Sequence, residues 1–192
     1  MQEETPSPGA DAVVSHVDVE IARNFGVFRR SRKPGDVLTR IDAGTRTSDG
    51  ENLALSRRAA RTASGDTYYL VPGRNALCIL GDNGSGGCSP LDRAKRGDLL
   101  VVLCAPSLAD THLRIIGLFP DGVEHVIFER ADGMRDQVRV ENNALAVDLP
   151  RAIATELPLV ARWSGPNGET SQEVPIPPDA LGVQCGPSPN NG

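Results

Sequence analysis

The spacing of turns constrains this chain more than any other feature. From His112 onward, turn-forming clusters recur, the first three about every 8–12 residues. They are Pro120-Asp121-Gly122, Ala131-Asp132-Gly133, Asn142-Asn143 and Gly165-Pro166-Asn167-Gly168. The pieces between them are short and read as strands: His112 to Leu118, Val123 to Arg130, Gln137 to Val140, Ala144 to Leu149, Leu157 to Trp163 and Glu169 to Ile176. Val123 to Arg130 alternates, with Val123, His125, Ile127 and Glu129 on one side and Glu124, Val126, Phe128 and Arg130 on the other. Short strands with this turn rhythm predict an antiparallel β-sandwich. Upstream, Thr67–Val71 and Asn75–Leu80 flank Pro72-Gly73-Arg74 and predict a hairpin. Leu91–Arg96 reads as one helical turn. The continuous apolar run Asp98–Cys104 predicts a buried central strand.

The period is different near the N-terminus. Val14, Val17, Ile21, Phe25 and Phe28 are spaced three or four apart, which predicts a helix from Asp11 to Arg30 with Asp11 or Ser15 as N-cap. Its valines are poor helix formers, so its first turns are expected to fray. Lys33-Pro34-Gly35 stops the helix, 41–52 is a polar loop, and Leu53–Arg61 predicts a second short helix. The expected organisation is a disordered tail (1–10), an N-terminal helical segment packed on the body (11–62), a mainly antiparallel β domain (63–176) and a loose C-terminal tail (177–192). The fold class is α+β, mainly β.

Composition narrows the function. A chain of 192 residues fits one domain, and 39% hydrophobic with 23% charged residues suits a folded core. The net charge of −5 disfavours a generic nucleic-acid binder. Seven aromatic residues leave little for base-stacking or carbohydrate platforms. No stretch approaches the ~18 apolar residues of a membrane span. The opening MQEETPSPGA has neither the basic start nor the apolar run of a signal peptide. It reads as the polar spacer that follows a removed signal or anchor, so an extracellular or cell-envelope location is expected.

Five segments occur together in order: AxxFxVFRR (Ala22 to Arg30), LSRR (Leu55 to Arg58), YYLVPGR (Tyr68 to Arg74), the Cys78…Gly86-Gly87-Cys88 pair and GLFPDGV (Gly117 to Val123). As a set, covering roughly residues 20–130, they resemble an uncharacterised family of predicted exported proteins from high-GC bacteria. The resemblance implies an exported, disulfide-permissive setting and carries over no catalytic residue.

Four cysteines, Cys78, Cys88, Cys104 and Cys185, allow three pairings, which sequence does not choose among. Cys78 ends a strand and Cys88 ends the adjoining glycine-rich loop. A bridge there would be worth ~2–3 kcal/mol and would pin a loop costly to order. Cys104 to Cys185 would then staple the tail to the core, the rival for Cys104 being a buried small hydrophobe. A zinc site is disfavoured because there is no CxxC and no histidine cluster, so no metal and no cofactor are expected.

The loop 81–87 superficially resembles the nucleophile loop of chymotrypsin-like proteases. Asn83-Gly84, inserted between Asp82 and Ser85, breaks the geometry an oxyanion hole needs. Asp82, Asn83 and Ser85 could offer oxygens to calcium, with no acidic residue to complete the shell. His112 and His125 fall in strands expected to be adjacent, where half-exposed sheet histidines are the plain reading.

Arg23 to Arg61 holds ten basic and four acidic residues, leaving the remainder strongly acidic. Arg29, Arg30, Arg32, Lys33, Arg57 and Arg58 are therefore candidate contacts to an anionic envelope surface. The competing reading is that they pair with the protein's own acidic groups.

The best expectation is a non-catalytic exported or cell-envelope module with a structural or binding role, its partner an anionic envelope surface or another envelope protein. One alternative is a hydrolase with an unfamiliar site near loop 81–87. Another is a cytoplasmic nucleic-acid-binding regulator using 23–61.

Overall fold

The structure, a computed structural model, describes residues 17–38, 50–82, 84–104, 112–150 and 158–176. Eleven strands form three antiparallel sheets among these residues. The outer sheet has the order β1-β2-β3-β4, from Arg57–Arg61, Thr67–Pro72, Ala76–Gly81 and Gly86–Pro90. The middle sheet is β5-β6-β9, from Leu99–Cys104, His112–Leu118 and Ala144–Pro150. The third is β11-β10-β7-β8, from Gly168–Glu173, Val160–Gly165, His125–Glu129 and Arg135–Arg139. The fold is mainly β and sandwich-like, with few helices.

The middle sheet is covered on both faces, which explains its apolar runs. On one face Leu99, Val101, Ile116, Leu118 and Ala144 pack with Tyr68, Leu70, Leu77 and Ile79 of the outer sheet. On the other, Leu100, Ile115, Leu145 and Leu149 pack with Val126, Phe128, Ala161 and Trp163 of the third. The third sheet is buried on one side only, so its strands alternate. Val126 and Phe128 are inward and His125 is exposed.

The N-terminal segment departs from expectation. Helix α1 is only Val19–Asn24, capped by Asp18, whose Oδ1 accepts from the Glu20 amide at 2.6 Å. Asp11 and Ser15 lie outside the described residues. A 3-10 turn, Gly26–Phe28, follows. The helix ends at Phe25 because the next amides bond to distant side chains. Gly26 N–H donates to Asp121 Oδ1 (2.7 Å) and Val27 N–H to Asn143 Oδ1 (3.0 Å). A side chain at Gly26 would press on Asp121 Oδ1, so glycine permits the approach. Ile21, Phe25, Val27 and Phe28 are buried in the core shared with the outer sheet.

The second expected helix, 53–61, is a correction. Leu53–Leu55 forms a 3-10 turn and Arg57–Arg61 is strand β1, paired with β2 through an irregularity at Arg58/Ala60. Ala59 and Ala60 favour a helix intrinsically, but both are buried and tertiary pairing overrides propensity. The outer sheet thus begins before residue 63, inside the segment expected to be helical. The expected turn near 91–96 is α2, Leu91–Ala94. The expected tails and most of the 41–52 loop lie outside the described residues.

Candidate functional site

The third sheet turns its polar face outward and carries an open cleft of about 680 Å³. Strand register sets its floor. Arg162 on β10 lies opposite Ile127 on β7 and Ser171 on β11, and Ile127 lies opposite Gln137 on β8. One cross-strand row therefore reads Ser171, Arg162, Ile127, Gln137. Ser164 and Glu169 face each other in a neighbouring row, and His125 and Glu124 line the same cleft. Side chains two apart on a strand share a face, which gathers these groups.

Two turns meet beside the cleft. Gly122, at φ +88°, belongs to the Pro120-Asp121-Gly122 turn and stands against Pro166 of the β10–β11 hairpin. Trp163 lies beneath, edge-on to Phe119 with centroids 5.3 Å apart, and holds the floor rigid from the core side. Glu129 accepts from Arg162 Nε at 3.0 Å and pairs with Arg135 at 3.5 Å. The hydrogen bond from Arg162 holds the Glu129 carboxyl below its usual range. Arg162, so held by Glu129, lines the cleft. His125, Gln137, Ser164, Glu169 and Ser171 are exposed. Such a surface offers both donors and acceptors, with an apolar patch at Ile127.

The basic residues singled out from sequence are largely engaged by the protein itself. Arg29 donates to Asp121 Oδ2 (2.6 Å) and to the Ala22 and Arg23 carbonyls. Arg30 grips Asp36 through two bonds, at 2.7 and 2.8 Å. Arg32 donates to the Ala54 carbonyl, and Arg57 to those of Leu55 and Ser56 while its guanidinium stands over Phe28. Burial pushes the Arg57 guanidinium down from its ordinary value. Lys33 and Arg58 remain exposed.

Cys78 and Cys88 lie directly opposite each other on β3 and β4, with their sulfurs 2.06 Å apart. Both ends of the glycine-rich segment belong to strands: Gly81 ends β3, and Gly86 and Gly87 begin β4. Cys104 ends β5, and Cys185 lies outside the described residues, so their pairing does too. Ser85 Oγ is 3.4 Å from the Tyr68 hydroxyl. Asn83, part of the calcium reading, lies outside the described residues. His112 and His125 belong to different sheets, because β6 is in the middle sheet and β7 in the third.

The cleft was not singled out from sequence. Its signal is the two-residue period of polar groups in Arg162, Ser164, Glu169 and Ser171, which any solvated strand face also gives. Comparison with family models, curated proteins and solved structures returned no match to this chain.

Proposed function

We propose that this chain is an exported, non-catalytic module of the cell envelope that binds a polar, hydroxyl-rich ligand along the outer face of its third sheet. The cleft carries the reading: it is open and lined by both donors and acceptors on a floor fixed by four paired strands. An uncharged, hydroxylated polymer satisfies such a mixture by hydrogen bonding, without needing an aromatic platform, because each hydroxyl both donates and accepts. The openness of the cleft supports binding over catalysis, since electrostatic catalysis gains most in a water-excluded site. The resemblance to exported proteins and the Cys78–Cys88 bridge support an oxidising location. Among the described residues no helix is long and apolar enough to cross a membrane.

The test is titration with soluble cell-wall oligosaccharides, followed by amide and imidazole NMR shifts. Perturbations should cluster on β7, β10 and β11, and Gln137→Ala with Ser171→Ala should weaken binding. Shifts confined to the Lys33–Arg58 side, or none at all, would overturn it.

A further inference from the structure

A third side chain stands at the Cys78–Cys88 bridge. Glu51 Oε1 lies 3.5 Å from Cys88 Sγ and 3.7 Å from Cys78 Sγ. The Glu51 residue is only 8% exposed and Cys78 is fully buried, while Cys88 is exposed on the edge strand β4. Glu51 is brought there by the chain that covers the outer sheet, anchored where the Asn52 amide donates to the Pro72 carbonyl at 3.1 Å. These three residues form a cluster with the donor chemistry of a metal site.

The spacing fits one class of ion. With Zn–S about 2.3 Å and Zn–O about 2.0–2.2 Å at tetrahedral angles, the sulfur–oxygen edges are ~3.5–3.7 Å and the sulfur–sulfur edge ~3.8 Å. Both sulfur–oxygen edges already have those lengths. Only the sulfurs are too close, because they are bonded. Reduction frees Cys88, which has room to turn on its exposed edge strand, while Cys78 and Glu51 stay fixed.

The geometry points to a redox-gated site: when the bridge is reduced, Cys78, Cys88 and Glu51 bind one zinc-like thiophilic dication, with water in the fourth position. Bridge and metal are alternative occupants of the same place. A dithiol supplies two electrons and two protons, becoming a disulfide itself, and leaves Cys78 and Cys88 as thiols. The dication then displaces both thiol protons to solvent and takes two thiolates and a carboxylate as ligands. Two thiolates and a carboxylate converging in a half-buried place would repel one another, and the bound ion offsets this by neutralising two of the three charges. The site lies on the outer sheet, separate from the cleft of the third sheet, and does not depend on what binds there.

The experiment uses the full chain carrying Cys104→Ser and Cys185→Ser, so that only the two relevant thiols remain. It is reduced with a phosphine and titrated anaerobically with cobalt(II), read by thiolate-to-metal charge transfer and tetrahedral d–d absorption, then back-titrated with zinc. One cobalt per chain is expected in the reduced host and none in the oxidised host. Cys78→Ser should abolish the tetrahedral spectrum, and Glu51→Gln should weaken binding at least about tenfold. Circular dichroism checks the fold at each step. The proposal is overturned by a reduced host without the charge-transfer band, by undiminished affinity in Glu51→Gln, or by loss of the sheet on reduction.

Discussion

Arg114 and Asp148 face each other across the β6–β9 ladder, and Arg114 Nε donates to Asp148 Oδ1 at 2.8 Å with the arginine wholly buried. The same guanidinium donates to Ser64 Oγ at 2.7 Å and pairs with Asp66 Oδ2 at 2.7 Å, both in the turn between β1 and β2. Its plane also stands over Tyr68. Burial alone would push Arg114 down, but its bonds to Asp148 and Tyr68 more than reverse this, so it stays charged. One cation thereby ties the outer sheet to the middle one.

Removing one partner should therefore be costly. Asp148→Asn leaves a buried guanidinium short of a counter-charge, and Arg114→Met leaves Asp148 short of a cation. Each should lose about 3–5 kcal/mol in urea denaturation. The double variant should lose less than the two costs added, because neither charge is then stranded. Strict additivity would show that the two do not act as a pair.

Acid should unfold the protein through Asp36 and Asp148. Arg30's hydrogen bonds hold Asp36 well below the usual carboxylate range, against the opposing effect of burial. Burial pushes Asp148 up, but the bonds from Arg114 and Ser64 outweigh it and leave it lowered. An unfolded aspartate titrates at about 3.9. Below that value the unfolded chain binds protons that the folded chain still refuses, so stability falls as pH drops. The stabilisation is complete above about pH 5 and is lost towards the lowered folded values. Thermal midpoints measured from neutral pH down to about 2 should show this slope, and Asp36→Asn should flatten it.

Much of the fold was legible because burial differs between the layers. Val123 to Arg130 alternates since one face of the third sheet meets water, and Leu99 to Cys104 does not alternate since the middle sheet is covered twice. The sheet membership of β9 was not legible: β8 and β9 are consecutive, yet β9 pairs with β6, and long-range partners leave no local mark. Residues 57–61 misled because alanine and arginine suit helices, and only pairing with β2 decides otherwise. The ordered motifs did carry structural information. Gly26 and Asp121, in two of the five segments, meet directly, so those segments are joints of the fold. Glu51 gave no signal, since its approach to Cys78 is a long-range contact that leaves no local mark.

Gly86→Ala should be among the most damaging single-atom-scale changes. Gly86 has φ +154° and lies opposite Leu80, where an added Cβ would collide with the Ile79 carbonyl oxygen. Neither the backbone oxygen nor the bridged hairpin can move away. A loss of about 3 kcal/mol or more is expected by denaturation. Gly133→Ala is the control: its φ is also positive, at +83°, but nothing lies near its Cβ. It should cost about 1 kcal/mol, from backbone conformation alone. Equal costs would show that strain, and not the collision, governs Gly86.

The N-terminal segment offers the last contrast. Phe25 is fully buried among Ile21, Val27, Phe28 and the outer-sheet residues Tyr68 and Leu70. Phe25→Ala should cost about 3–5 kcal/mol, from lost transfer energy and the cavity left behind. From sequence, Arg29 sits at the polar end of the helix and should matter little. Its bond to Asp121 raises that expectation, because Asp121 also accepts from the Gly26 amide and from Asn143 Nδ2 at 3.0 Å. The Arg29–Asp121 pair is half exposed and solvent screens it, so Arg29→Ala should cost no more than about 1 kcal/mol. Asp121→Ala should cost more than Arg29→Ala, since it strands two further donors at once. Urea midpoints of the three variants should fall in the order Phe25→Ala, Asp121→Ala, Arg29→Ala, the first lowest. An unchanged midpoint for Phe25→Ala would mean that α1 and its 3-10 turn lie outside the cooperative core.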